Sequence, residues 1–483
     1  MPPTLDAILH PRSVAVVGAS ANPDSPGNDY LRCLLDLGFA GPLYPVHPRE
    51  QEILGLTCYP DLRAVPGEVD YVISCIPAEG VLDLLDACAE KRVRAVQLFT
   101  GRFSETGSAD AAELEREVLR RARAAGVRLI GPNCMGLHDP AWGLSFRPDL
   151  PRRAGPVAFI SQSGNNTSEL LLHADVRGLG FSSAVSYGNA LDVSEAELLE
   201  YLAQDERTTV IGAYIEGVRD GRRFLAALRA AAAAKPVVVF KGGRTGAGAR
   251  SAVSHTAALA GSGEVWRAAL RQAGALQVKT LDELIDLLVA FALLPRPPGA
   301  PGLPAVAGRR VGAVGGGGGR AVQAADTCTE EGLVVPPLAG SIRDRLRERA
   351  PLLAGWVGNP VDQSILAGSG ASGASILEQM VASDDYDLLI ANAGEDWVLG
   401  RPDGPGRLRH IAERFAEIGR ASAKPVAFVL GPADAPDEER WRAVESARSL
   451  LTDAGLAVFP TVERAVWSLA RWVSWWEERI DGE

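Results

Sequence analysis

The chain has 483 residues, is 47% apolar, and sets 49 basic against 60 acidic side chains for a net charge of −11. That length allows about two to four domains with buried cores. The acidic balance without a basic stripe argues against nucleic acid as the main partner, the lack of any run near the roughly 20 apolar residues of a membrane helix argues against a spanning segment, and the six scattered cysteines form neither a C-x-x-C pair nor a His/Cys cluster at metal-ligand spacing.

The N-terminal stretch MPPTLDAILHPRS has no basic n-region and no long apolar core, so the expected location is the cytoplasm, and the expected metal site is none. Over residues 1–130, short Val- and Ile-rich runs (SVAVVGAS, PLYPVHP, YVISCIP, AVQLF) alternate with helical stretches such as Val81 to Lys91. This is the pattern of βαβ units and predicts a parallel, Rossmann-like sheet covered on both faces. A second series of the same kind runs from GPVAFISQSG through TVIGAYIEG to PVVVFKGGR, within residues 131–295. LPRPPGAPGLPAVAG then sustains neither helix nor central strand, and residues 296–308 are expected to be an interdomain linker. A third α/β series fills 309–483 and ends in an amphipathic tail carrying Trp467, Trp472, Trp475 and Trp476, which is expected to pack its aromatics on the third domain, with an exposed partner-binding face as the alternative.

Three turns carry chemistry. Gly18, Ala19 and Ser20 end the first strand, and the stretch that runs on to Asn28 reads either as a plain tight turn or as one whose backbone N–H groups can approach a phosphate. It is not G-x-G-x-x-G, and the second strand ends in His47 and Arg49 rather than an acid, which suits an additional phosphate, as on NADP or CoA, better than an NAD ribose. Ser161, Gln162, Ser163, Gly164 and Asn165 lead from a strand into a helix and read either as plain N-caps or as an anion cradle. Gly188-Asn189 and Glu216-Gly217 end neighbouring strands and are expected to face the same crevice. The third turn, Lys241 to Gly248, precedes His255, which sits among small residues that leave its imidazole reachable. A carboxylate such as Glu216 on Nδ1 would leave Nε2 free for attack on phosphorus. His10, His138, His173 and His410 read as structural, and neither G-x-S-x-G nor a P-loop occurs.

Taken together, Val17-Gly18-Ala19-Ser20, Val46-His47-Pro48-Arg49, Ile76-Pro77-Ala78, Gly131-Pro132-Asn133-Cys134-Met135-Gly136, Ser161-Gln162-Ser163-Gly164, Gly188-Asn189, Ser254-His255-Thr256 and Gly358-Asn359-Pro360-Val361-Asp362 occur in the order seen in ADP-forming acyl-CoA synthetases. The chain resembles their alpha subunit over almost its whole length, and more distantly the succinyl-CoA synthetase alpha subunit. The resemblance implies a Rossmann-like CoA-binding domain followed by two flavodoxin-like domains. It also implies the reaction of acid, CoA and ATP with acyl-CoA, ADP and phosphate, through an acyl phosphate and a phosphohistidine. On this chain His255 would carry the phosphoryl group, with Glu216 as its orienting carboxylate and Ser161, Gln162, Ser163, Gly164 and Asn165 as phosphate binders. Gly18, Ala19, Ser20, Asn28, Arg49, Pro77, Ala78 and Thr100 would line the CoA site, and Asn133, Gly188 and Asn189 the substrate end. ATP or ADP with Mg2+ would sit on a separate ATP-grasp beta subunit in an αβ or α2β2 assembly, because no part of this chain reads as ATP-grasp. A CoA or acyl-CoA sensor or scaffold of the same fold is the rival reading, and an NADP oxidoreductase a third.

Overall fold

The computed structural model describes residues 3–248, 250, 262–295, 308–366, 369–431 and 437–480. Residues 296–307 of the expected linker, and His255, lie outside the described residues. The chain divides into two compact units, Met1–Asp175 with Leu179–Leu284, and Val176–Gly178 with Ile285–Glu483.

The first unit holds two sheets. In the first, five parallel strands lie in the order Leu43–Val46, Val14–Val17, Tyr71–Ser74, Ala95–Leu98, Arg128–Ile130. All four residues of Val14–Val17, Tyr71–Ser74 and Ala95–Leu98 are buried, as central strands covered on both faces require. The chain leaves Val14–Val17 toward one side and returns on the other as Tyr71–Ser74. That reversal opens a crevice at the carboxyl ends of these two strands, where doubly wound sheets bind ligands.

The second sheet runs Leu276–Val278, Val237–Lys241, Val210–Ile215, Ala154–Ser161, Phe181–Ser186, Gly136–His138. Its strands are parallel except the last, which pairs antiparallel with Phe181–Ser186. The order reverses between Ala154–Ser161 and Val210–Ile215, which places Ser163 and Glu216 on the two lips of a second crevice.

The second unit carries a four-stranded parallel sheet, Val311–Gly315, Leu388–Asn392, Val426–Val429 and Val458–Phe459. The aromatic tail forms the helix Val462–Ile480 and buries Trp472, Trp475 and Trp476, with Trp475 edge-on to Phe291 at 5.4 Å between ring centroids. Among the described residues no helix is long and apolar enough to cross a membrane, and no group of three His, Cys, Asp or Glu side chains is placed to hold a metal ion.

Candidate active site

The glycine turn after Val14–Val17 is built by close backbone approach. Gly18 has φ +85°, and a Cβ there would lie 2.9 Å from the carbonyl of Cys75. The helix Pro26–Asp36 starts against this turn: Ser25 caps it by accepting from Asn28 N at 3.2 Å, and a Cβ on Gly27 would stand 2.4 Å from Gly18 O. Asn28 is buried and spends its side chain on the turn itself, donating Nδ2 to Ser20 O at 2.9 Å and accepting from Arg32 at 2.7 Å. A cavity of about 360 Å³ follows, lined by Gly18, Ala19, Ser20, His47 and Pro77 among others. Arg49 is exposed and does not line it; its backbone N–H donates to His47 Nδ1 at 3.3 Å.

A larger cavity, about 620 Å³, begins where the first ends, and Cys75, Ile76 and Pro77 form walls of both. It continues past Ala78 and Thr100 to Asn133 and Met135, and reaches Gln162, Ser163, Gly164 and Asn165 on the second sheet. Thr100 donates its hydroxyl to Ile76 O and holds the two strand ends together. Burial pushes the Cys75 thiol up to about 12, so it stands neutral at this junction and is no nucleophile.

On the far side, Ser161 is fully buried; its Oγ donates to Ser163 O at 2.8 Å and accepts from Ser163 N at 3.0 Å. Ser163 Oγ accepts from Asn166 N at 3.3 Å, at the start of the helix Gly164–Val176, whose N-terminus points its partial positive charge into the cavity wall. Gln162 does something its position does not announce. Its Oε1 accepts from the N–H groups of Glu216 and Gly217 at 2.6 and 3.1 Å, and its Nε2 donates to Gly217 O at 3.0 Å. The amide therefore clamps the Glu216 turn to the serine turn, while Tyr214 donates its hydroxyl to Glu216 Oε1 at 3.1 Å.

Beneath this clamp lies Lys241, 1% exposed, which donates to the backbone carbonyls of Glu216, at 2.7 Å, and Gly242, and stands 4.9 Å from the Trp266 ring centroid. Burial brings its ammonium down to about 8 from the usual 10.5, against the opposing pull of Glu216. The unfolded chain keeps this proton up to about pH 10.5 and the folded chain releases it near pH 8, so between these values the unfolded state binds more protons and stability rises with pH. The stability of the unsubstituted protein relative to Lys241→Met is therefore expected to increase from pH 7 to pH 9.5 in urea titrations; a flat or falling difference would refute a buried, proton-shedding amine.

Gly188 and Asn189 do not line the cavity; they brace its wall. Gly188 has φ +53°, and a Cβ there would lie 2.2 Å from Pro132 O and 2.4 Å from Asn133 O. Asn189 N donates to Pro132 O at 3.0 Å, and its side chain lies between Asn133 and Glu105, with Asn133 Nδ2 3.5 Å from Asn189 Oδ1. Reading the motifs alone missed Glu105, which sits in a short loop with no periodic signal, and Glu195, a buried carboxyl in the first turn of the helix Glu195–Gln204 that burial pushes up to about 7. The second unit has its own cavity of about 610 Å³ at the strand ends, lined by Gly316, Gly317, Arg320, Glu395 and Arg440 among others.

Comparison with known proteins points to one family. A family described as "CoA binding domain" matches residues 12–140, and one described as "Succinyl-CoA ligase like flavodoxin domain" matches residues 154–291. Across 37% identical positions the chain aligns with acetate–CoA ligase [ADP-forming] I of Archaeoglobus fulgidus, covering 80% of this chain and 54% of that protein. A solved structure of the Ca. Korarchaeum cryptofilum dinucleotide-forming acetyl-coenzyme A synthetase 1, in complex with phosphate and ADP, superposes with a TM-score of 0.80 at 30% identity, covering 99% of this chain and 97% of that one. The acetate–CoA ligase [ADP-forming] I subunit alpha of Pyrococcus furiosus is 33% identical over 98% of both chains. Sharing that length and that degree of identity, the chain belongs to the family of ADP-forming acetate–CoA ligase alpha subunits.

Proposed function

We propose that this chain is the CoA-binding, phosphoryl-carrying subunit of an ADP-forming acyl-CoA synthetase. It interconverts acid, CoA and ATP with acyl-CoA, ADP and phosphate through an acyl phosphate and a phosphohistidine. The observation that carries the reading is the continuity of the two cavities through Cys75, Ile76 and Pro77: an extended ligand with a nucleotide at Gly18–Ser20 has a path to the serine turn at Ser163 and Gly164. CoA has that shape, with its thiol end falling near Asn133. The N-terminus of the helix Gly164–Val176 supplies N–H groups for a phosphoryl group, and the clamped Glu216 is the carboxylate assigned to orient His255. His255 itself lies outside the described residues, on the segment that follows Val237–Lys241.

ATP or ADP with Mg2+ belongs, in this reading, to a separate ATP-grasp beta subunit in an αβ or α2β2 assembly. The name "subunit alpha" borne by the Pyrococcus furiosus relative supports it, as does the match of this chain to only 54% of the longer Archaeoglobus fulgidus protein. Residues 1–130, 131–295 and 309–483 form the three α/β segments, joined across 296–308. All six cysteines are free thiols, which fits a reducing cytoplasm. Acetate, the acid in the names of the Pyrococcus furiosus and Archaeoglobus fulgidus relatives, is the first to be tried.

Incubation with acetyl-CoA and labelled phosphate, or with ATP and the ATP-grasp partner, should label the protein with an acid-labile, base-stable phosphoryl group that is lost in His255→Ala. A protein that binds CoA but takes up no label under either condition would overturn the assignment.

A further inference from the structure

Glu105 lies in the loop that follows Ala95–Leu98, and its two oxygens face different loops. Oε1 accepts from the backbone N–H groups of Arg102 and, at 3.1 Å, Phe103; Oε2 accepts from Asn189 Nδ2 at 2.8 Å. A carboxylate has no hydrogen to donate. Asn189 is therefore confined to one amide orientation, with its NH2 group toward Glu105 and its Oδ1 toward Asn133 Nδ2, 3.5 Å away. Asn133 is confined in turn: its NH2 group faces Asn189, and its Oδ1 is the atom left for the cavity wall, where it would stand 3.3 Å from a Cβ on Gly101. Arg102, Asn133 and Ala190, within or beside this relay, hold φ of +73°, +58° and +51°, left-handed conformations that side-chain-bearing residues keep only where neighbouring groups fix them.

We propose that Glu105 is a positioning residue which, through Asn189, locks Asn133 with its carbonyl oxygen toward the cavity, so that this wall accepts a hydrogen bond from the cysteamine amide N–H of CoA. The inference rests on the reading that the cavity takes the arm of CoA, and it sharpens that reading. An ionised acid or acyl phosphate offers no donor and is turned away from an acceptor, so Asn133 recognises the thiol carrier rather than the acid. An amide side chain without this relay would be free to present either face.

The relay makes a reciprocal prediction. In Glu105→Gln the new amide keeps the backbone bonds through its oxygen and turns its NH2 group to Asn189, which flips, and Asn133 flips after it and presents NH2 to the cavity. In Asn133→Asp a carboxylate oxygen meets Asn189 Oδ1, and the repulsion between the two acceptors swings the carboxylate away from the orientation the amide held, so that its other oxygen no longer meets the cysteamine N–H. In the double variant, the flipped Asn189 donates to the carboxylate introduced at position 133, and the cavity regains an acceptor.

The test is CoA affinity of the full-length chain by calorimetry. Each single variant is expected to bind CoA about tenfold more weakly, the worth of one hydrogen bond, and the double variant to return to within about threefold of the parent. Losses that multiply in the double variant, or a single variant with parental affinity, would overturn the relay. The unsubstituted protein gives an independent measurement: an analogue with an ester oxygen in place of the cysteamine N–H should bind about tenfold more weakly than CoA, and equal binding overturns the assignment. If the unsubstituted protein fails to bind CoA at all, the reading of the cavity falls and the inference with it. Parental CoA binding with multiplicative losses sinks the inference alone.

Discussion

Replacing Gln162 with leucine is expected to unfold the protein more easily by about 3 kcal/mol or more, because three buried backbone groups, the N–H of Glu216, the N–H of Gly217 and the carbonyl of Gly217, lose their partner at roughly 1–3 kcal/mol apiece. Turnover should fall further than stability alone explains. The amide ties the Glu216 turn to Ser163, and a displacement of about 1 Å between reacting groups can cost on the order of a hundredfold. Gln162→Glu separates the two effects. A carboxylate still accepts from both N–H groups but cannot donate to Gly217 O, and it sets a second carboxylate in the cavity wall, beside Glu216. It should keep much of the stability and little of the turnover. Urea midpoints together with acetyl-CoA synthesis rates measure both quantities; a leucine variant with parental values of each would remove Gln162 from the machinery.

The second large effect is expected from Gly188→Ala. A left-handed φ costs an alanine about 1–2 kcal/mol, and a methyl group set against two backbone carbonyls adds roughly 1–3 kcal/mol of crowding, for a total of about 2–5 kcal/mol. Those carbonyls belong to Pro132 and Asn133, so the displacement travels directly into the cavity wall and CoA affinity should drop along with the melting temperature. Gly126→Ala is the matched control. Gly126 has φ +70° but nothing within 4 Å of a Cβ, so its substitution carries the backbone cost alone, about 1–2 kcal/mol. Equal losses in the two variants would mean that the close approach at Gly188 is not felt.

Much of the fold could be read from local pattern. Runs such as VAVV, YVIS and VIGAYI are the buried parallel strands that their uniform apolar character predicts, and the turns after Val14–Val17, Ala154–Ser161 and Val210–Ile215 fall at the two crevices. Gly18, Pro77, Thr100, Asn133 and Ser163 line the cavities. Side-chain direction was less legible. Asn28 and Gln162 carry the right chemistry at the right turns, yet Asn28 braces its own turn and Gln162 reaches a turn 54 residues further along the chain. No local spacing encodes a partner that distant. Arg49 follows the second strand as expected but is exposed, because position in sequence does not fix which way a long side chain leaves a loop. Glu105 escaped notice for a related reason: its worth lies in three hydrogen bonds to loops from two sheets, and only the assembled structure brings those loops together.

The strand Gly136–His138 has a consequence for anyone cutting this chain. It immediately follows the loop that carries Asn133, yet it closes the border of the neighbouring sheet, where Ala184 to Ser186 lie opposite it. A truncated piece that starts downstream of His138 would expose that row of main-chain donors and acceptors along Phe181–Ser186, a template on which a second molecule can add a strand. The leading portion would in turn keep a ribbon with nothing to pair with. Three residues thus add a strand-pairing tie to those already made between the two halves of the first unit, and a scissile point placed between them creates sticky fragments rather than independent modules.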